Sequence, residues 1–170
     1  MSSLWLNGSI IAAGIAVALL SGQHREARLV GADALGDVGA LEDLVARHPD
    51  DATAVAKLAQ RYLDRSEPGL ALSVIGKSSG EVQHLPEVEH ARARALFAEG
   101  RTTDALAAER SVVDACENAR CHPWLLVQAA RRSELFEAML DLGLEDPVAD
   151  PDRAHLAYVR STREVRLAIQ

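Results

Sequence analysis

A shift of 34 residues lays one part of this chain onto another. Ala59 falls on Ala93, Tyr62 on Leu96, Leu63 on Phe97, Ser66 on Gly100, and Ala71-Leu72 on Ala105-Leu106. A self-similarity of this period marks a stack of supersecondary units, each able to bury its apolar side only against a neighbour. Within one period the apolar residues keep helical spacing. Val55, Leu58, Ala59, Tyr62 and Leu63 share a face over Asp51–Arg65, with Asp50 or Asp51 as the N-cap. Ser66 is then expected to cap a second helix with Pro68 in its first turn. That helix buries Leu70, Ala71, Val74 and Ile75 and stops at Gly76 or Gly80.

Composition agrees with helices. Apolar residues make up 48% of the chain but aromatics only 4%, so the core rests on Ala, Leu and Val. Ala and Leu lose little freedom in a helix, whereas strands favour β-branched and aromatic residues. The expected fold class is all-α.

The stretch "LFAEGRTTDAL", Leu96–Leu106, resembles the tetratricopeptide repeat, whose helix pairs have this period, a small residue at the inter-helix turn and alanines at the closest packing points. Pro49 fits the proline that often precedes a helix pair in that family. Leu41 and Leu44 in "ALEDLVARHP" fit the second helix of a preceding half repeat. The resemblance covers about residues 37–117. It implies an α-solenoid whose concave groove receives a peptide or a partner's helix, and hence a protein-binding role. Three residues depart from the pattern: Glu89 stands at the register of Val55, Arg92 at that of Leu58, and Glu109 at that of Ile75. Charge at these positions makes Glu89, Arg92 and Glu109 the candidate partner-binding residues. Beyond them, Pro123–Arg132 and Ser133–Leu142 are expected to form a further helix pair, with Met139-Leu140 at packing positions. Asp150 then caps a last helix from Pro151 to about Ile169. Its arginines 153, 160, 163 and 166 share a polar face, and it closes the open end of the stack.

The N-terminal part reads differently. Leu4–Leu20, "LWLNGSIIAAGIAVALL", has no charge and reaches the short end of the ~17–25 residues that span a bilayer as a helix. No Lys or Arg precedes it, and the small-Xaa-small site at Ala16 and Ala18 lies inside the apolar run. An uncleaved single-pass anchor is the expectation for residues 1–22, with a linker over 23–36 and the repeat domain over 37–170. Gly8, Ala12 and Ala16 recur at every fourth residue and would let a second membrane helix approach closely, or simply reflect an Ala-rich chain. Arg25 and Arg28 favour the cytoplasmic side for the domain that follows. Large domains translocate largely regardless of such a bias, and the cysteine pair favours an oxidising compartment, so the extracytoplasmic (periplasmic) side is expected.

The net charge of −7 argues against a nucleic-acid binder, which needs a basic face to displace counterions. "ALSVIGKS", Ala71–Ser78, matches the permissive offsets of a phosphate-binding loop, but falls inside a helical pattern where Gly and Lys suit a helix end. Asp146, Asp150 and Asp152 lack the glycine turn and distal glutamate of a calcium loop. The histidines 24, 48, 84, 90 and 155 form no ligand pair at helical spacing, and no nucleophile–base arrangement can be placed. No enzyme activity, cofactor or metal is therefore expected.

"ACENARCHPW", Ala115–Trp124, holds both cysteines. Cys116 belongs to the last turn of one helix, and Pro123 forces a break that would let Cys121 return to it as a disulfide. The rival is a C-x4-C-H haem attachment by Cys116, Cys121 and His122, which resembles a long-spaced variant of the c-type motif and would make the chain an electron-transfer subunit. Two reduced thiols in a cytosolic domain, or a zinc site short of a fourth ligand, are the remaining readings. The functional expectation is a membrane-anchored scaffold or accessory subunit, binding other protein subunits of a membrane complex and no nucleic acid.

Overall fold

The computed structural model describes residues 37–118 and 121–167, with side chains as far as residue 162. The expected anchor with Gly8, Ala12 and Ala16, and the linker over 23–36, lie outside the described residues. No helix among the described residues is long and apolar enough to cross a membrane. The chain forms two units, Met1–Ala40 and Leu41–Gln170. In the first, the described residues begin at Asp37, whose carboxylate accepts from the Gly39 amide at 3.1 Å.

Eight helices and no strand are found among the described residues: α1 Val38–Arg47, α2 Ala52–Asp64, α3 Pro68–Lys77, α4 Gly80–Gln83, α5 Pro86–Ala98, α6 Thr102–Asn118, α7 Pro123–Asp141 and α8 Pro151–Leu167. The all-α expectation holds. Within Leu41–Gln170 the long helices pack as consecutive pairs, α2 with α3, α5 with α6, and α7 with α8. Helix α5 also packs on both α2 and α3, and α7 on both α6 and α5.

Local chemistry sets the ends of these helices. Asp51 caps α2 by accepting from the Ala54 amide at 3.0 Å, and Asp150 caps α8 by accepting from Arg153 at 3.1 Å. The three pairs turn in the same way. At the end of α2 the Ser66 amide donates to Leu63 and the Glu67 amide to Tyr62. At the end of α5 Gly100 donates to Phe97 and Arg101 to Leu96. At the end of α7 Gly143 donates to Leu140 and Leu144 to Met139. Each is a Schellman closure around a left-handed residue, with φ of 60° at Ser66, 72° at Gly100 and 70° at Gly143.

Three expectations are corrected. Ser66 caps nothing: it is the turn residue, and Glu67 stands at the N-cap of α3 without a side-chain bond. Gly76 lies inside α3, which ends when Ser78 folds its hydroxyl onto the Ile75 carbonyl at 2.7 Å. Residues 123–141 form one continuous helix rather than two, because nothing between Arg132 and Ser133 interrupts the backbone ladder. In consequence α8 packs as the partner of α7.

The main core joins α5, α6, α7 and α8 through Ala93, Leu96, Ala105, Leu106, Phe136, Met139 and Ala157, with the Phe97 and Phe136 rings stacked 4.6 Å apart. Helix α5 is enclosed on most sides, which explains its weak amphipathic pattern.

Candidate functional site

A cleft of about 510 Å³ runs between α2, α5 and the start of α7. One wall is the face of α2 carrying Ala52, Thr53, Ala56, Lys57 and Gln60. The facing wall is α5, through Glu87, His90 and Ala91. A 34-residue shift of the sequence carries Thr53 to Glu87, Ala56 to His90 and Lys57 to Ala91. Alanines at Ala56 and Ala91 keep the walls low. Trp124 and Leu125 close the end, with Trp124 53% exposed and Leu125 buried.

The end wall is held by the cysteines. Cys116 and Cys121 are joined as a disulfide, with Cα atoms 5.1 Å apart. The bridge packs with Val112, Leu125 and Ala129 between α6 and α7. His122 becomes the N-cap of α7, its Nδ1 accepting from the Trp124 amide at 3.4 Å.

Behind the α5 wall lies a buried polar group of residues. Glu109 on α6 has no exposed surface, and its Oε2 meets His90 Nδ1 at 2.8 Å. Arg132 on α7 brings Nε to 3.8 Å from Glu109 Oε1. Burial pushes the Glu109 carboxyl above its usual range, while the His90 bond and the charges of Arg132 and Arg94 hold it down. Among the described residues, Glu109 Oε1, Arg132 Nε and Ser133 Oγ are enclosed without a hydrogen bond.

The residues singled out in sequence are thus separated. Glu89 is buried and is gripped by the Arg92 guanidinium in a two-point bond at 2.6 and 3.1 Å, with His84 3.6 Å away. Arg92 is half-buried. Glu109 makes its contacts in the interior. His90, which the sequence marked only as one of the histidines forming no ligand pair, is the residue that connects Glu109 to the cleft. The signal lay in the register itself, which sets both His90 and Glu109 as polar replacements of Ala56 and Ile75 within one unit. Trp124 carried no such signal, because its place depends on where the disulfide starts α7. The phosphate-loop offsets of Ala71–Ser78 lie in α3 and its end, not in a loop. Asp146 closes its own turn by accepting from Val148 at 2.8 Å, and no metal-holding cluster exists among the described residues.

A second cleft, of about 610 Å³, opens between α5, α7 and α8, with Phe97, Gln128, Arg131, Arg132, Tyr158 and Thr162 on its walls. No protein-family model matches the chain, and no curated protein or solved structure matches it either.

Proposed function

We propose that this chain is a protein-binding domain of tetratricopeptide type whose cleft between α2, α5 and α7 receives a segment of a partner protein. The observation that carries this reading is the cleft itself: two low walls from equivalent positions of successive units, ended by an exposed tryptophan. Aromatic side chains of this kind anchor interfaces, since they offer large contact area at little conformational cost. The pairing of helices and their packing on preceding pairs agree with a stacked-repeat design. The uncharged run Leu4–Leu20 supports membrane tethering, so the domain acts as a scaffold or accessory subunit of a membrane complex on the extracytoplasmic side. The disulfide favours that compartment and stands against the cytochrome alternative.

Site-specific photocrosslinking in the native membrane tests this. A photoreactive residue at Gln60 or Ala91, inside the cleft, is expected to capture one defined partner. The same residue at Ala107 or Glu117, exposed on α6, is expected to capture none. Equal labelling from both sets, or recovery of the protein from the soluble fraction, rejects the reading.

A further inference from the structure

We infer that the Cys116–Cys121 bridge is made and broken through one of its two sulfurs, Sγ of Cys121, which is the site where this chain exchanges with external disulfides. The two cysteines are the only ones in the chain and are bonded to each other, so its thiol–disulfide chemistry is confined to this pair. Their surroundings differ in access and in electrostatics, and both differences point to the same sulfur.

Cys116 is 7% exposed and lies in a buried cluster with Val112, Leu125 and Ala129. Cys121 packs against the edge of that cluster and is only half-buried. The helices set the second difference. Cys116 belongs to the last turn of α6, where unpaired carbonyls oppose a thiolate, and its apolar cover opposes one too. Cys121 directly precedes His122, the N-cap of the 19-residue α7, whose first-turn amides favour a thiolate. The immediate neighbours along the chain, Glu117 after Cys116 and His122 after Cys121, act in the same sense. In the reduced chain the reachable sulfur is therefore also the one that ionises more readily.

Bridge formation then has a fixed order. The Cys121 thiolate attacks one sulfur of an external disulfide, whose S–S bond breaks, and one donor thiolate leaves. Cys116 gives its proton to solvent, its sulfur attacks Sγ of Cys121, and the second donor thiolate is expelled as the internal bond closes. The donor gains the two electrons that the cysteines lose. Reduction retraces the same bonds. A reducing thiolate reaches Sγ of Cys121 and must expel Cys116 into apolar surroundings at a helix C-terminus. A leaving thiol so placed departs slowly, so the bridge, once closed, is retained.

The test uses the full chain in neutral detergent. The reduced wild type is pulsed briefly with iodoacetamide at pH 7, and the labelled peptides are weighed by mass spectrometry. Cys121 is expected to label about tenfold faster than Cys116. Glutathione disulfide is expected to form a mixed disulfide with Cys116→Ser about tenfold faster than with Cys121→Ser, with its pH midpoint lower in Cys116→Ser. In urea the two rates are expected to converge, because the helices that distinguish the sulfurs are lost. Equal rates in the folded chain, a faster Cys116 or a shared pH midpoint overturns the inference. So does a tenfold difference that persists in urea, which would belong to the local sequence and not to the fold.

Discussion

Helices α2/α3 and α5/α6 are both helix pairs closed by the same kind of turn. They share the 34-residue register, the alanine contacts Ala59/Ala93 and Ala71/Ala105, and the left-handed turn at Ser66/Gly100. They differ in what fills the rest. In α2/α3 the buried positions are Val55, Leu58 and Ile75; in α5/α6 the same positions hold Glu89, Arg92 and Glu109. Two of these charges are buried as deeply as the residues they replace, and each is met by a partner from the same unit: Glu89 by Arg92, Glu109 by His90. The backbone of the unit thus needs only small residues and a turn at fixed places. The remaining interior tolerates charge when a partner arrives with it. Where α2/α3 spends these positions on apolar packing, α5/α6 spends them on a bonded chain that reaches the groove at His90.

The sharpest way to break this contrast is to remove one member of the buried pair. Glu109→Ala leaves His90 and Arg132 facing a void and is expected to cost about 3–5 kcal/mol in urea unfolding. Glu109→Gln keeps a bond to His90 without the charge and separates packing from electrostatics. Burial raises the Glu109 carboxyl above its ordinary 4.5, so the native state holds this proton more tightly than the unfolded chain. The contribution of Glu109 to stability is therefore fullest below pH 4.5 and is lost as pH rises through its folded pKa. The difference in stability between wild type and Glu109→Gln is expected to shift in favour of the variant as pH rises from 4.5 towards neutrality. Parallel profiles would mean that Glu109 is not the titrating group.

This pair also marks how far the sequence could be read. The helices, the Asp51 and Asp150 caps, and the break before Pro123 were legible because each depends on residues close in the chain. The departures at Glu89, Arg92 and Glu109 were legible as departures, since the register made them visible. Glu89 and Arg92 bond to each other as an i,i+3 pair within α5, a local relation, but what Glu109 bonds to was not legible. For Glu109 two alternatives, an exposed face or an internal partner, give the same local pattern, and only the packing of α6 against α5 decides between them. The third pair was misread for a related reason. Its turn, at Gly143, lies 43 residues after Gly100 rather than 34, so Met139-Leu140 takes the place of Leu96-Phe97 at the end of a longer helix. A fixed period cannot reveal a unit whose first helix has been extended at its start.

The junctions after the two units differ as well, and the expected effect there is smaller. After α3 the chain is held by polar bonds: the Ser79 amide donates to Pro49 O at 3.2 Å, and the Gln83 side chain to Ser78 O at 2.9 Å. After α6 the Cys116–Cys121 disulfide holds it. Closing so short a loop contributes about 2 kcal/mol on the chain-entropy account. Reduction is expected to lower the urea midpoint by a corresponding amount and to weaken groove binding, because Trp124 and Leu125 start from this bridge. Cys116→Ala with Cys121→Ala should match the reduced protein. A reduced protein that binds as the oxidised one does would show that α7 is placed by its packing alone.

The smallest difference lies in the turns. Ser66 and Gly100 occupy the same left-handed position, with φ of 60° and 72°, yet only the second is glycine. A residue with a Cβ meets the following carbonyl oxygen in this conformation, at a cost of about 1–2 kcal/mol, part of which Ser66 carries in the folded state. Ser66→Gly relieves it but loosens the unfolded chain, which takes back part of the gain. The net expectation is a stabilisation of about 0.5–1 kcal/mol, read as a rise in the urea midpoint. Gly100→Ala is the reverse exchange with an added obstacle, since its Cβ would meet Asp146 side-chain carbons at 3.3 Å. It must destabilise by more than Ser66→Gly stabilises. If the two effects are equal and opposite, the turn alone accounts for both. If Ser66→Gly destabilises, the serine hydroxyl is held in the turn by a bond stronger than the strain it relieves.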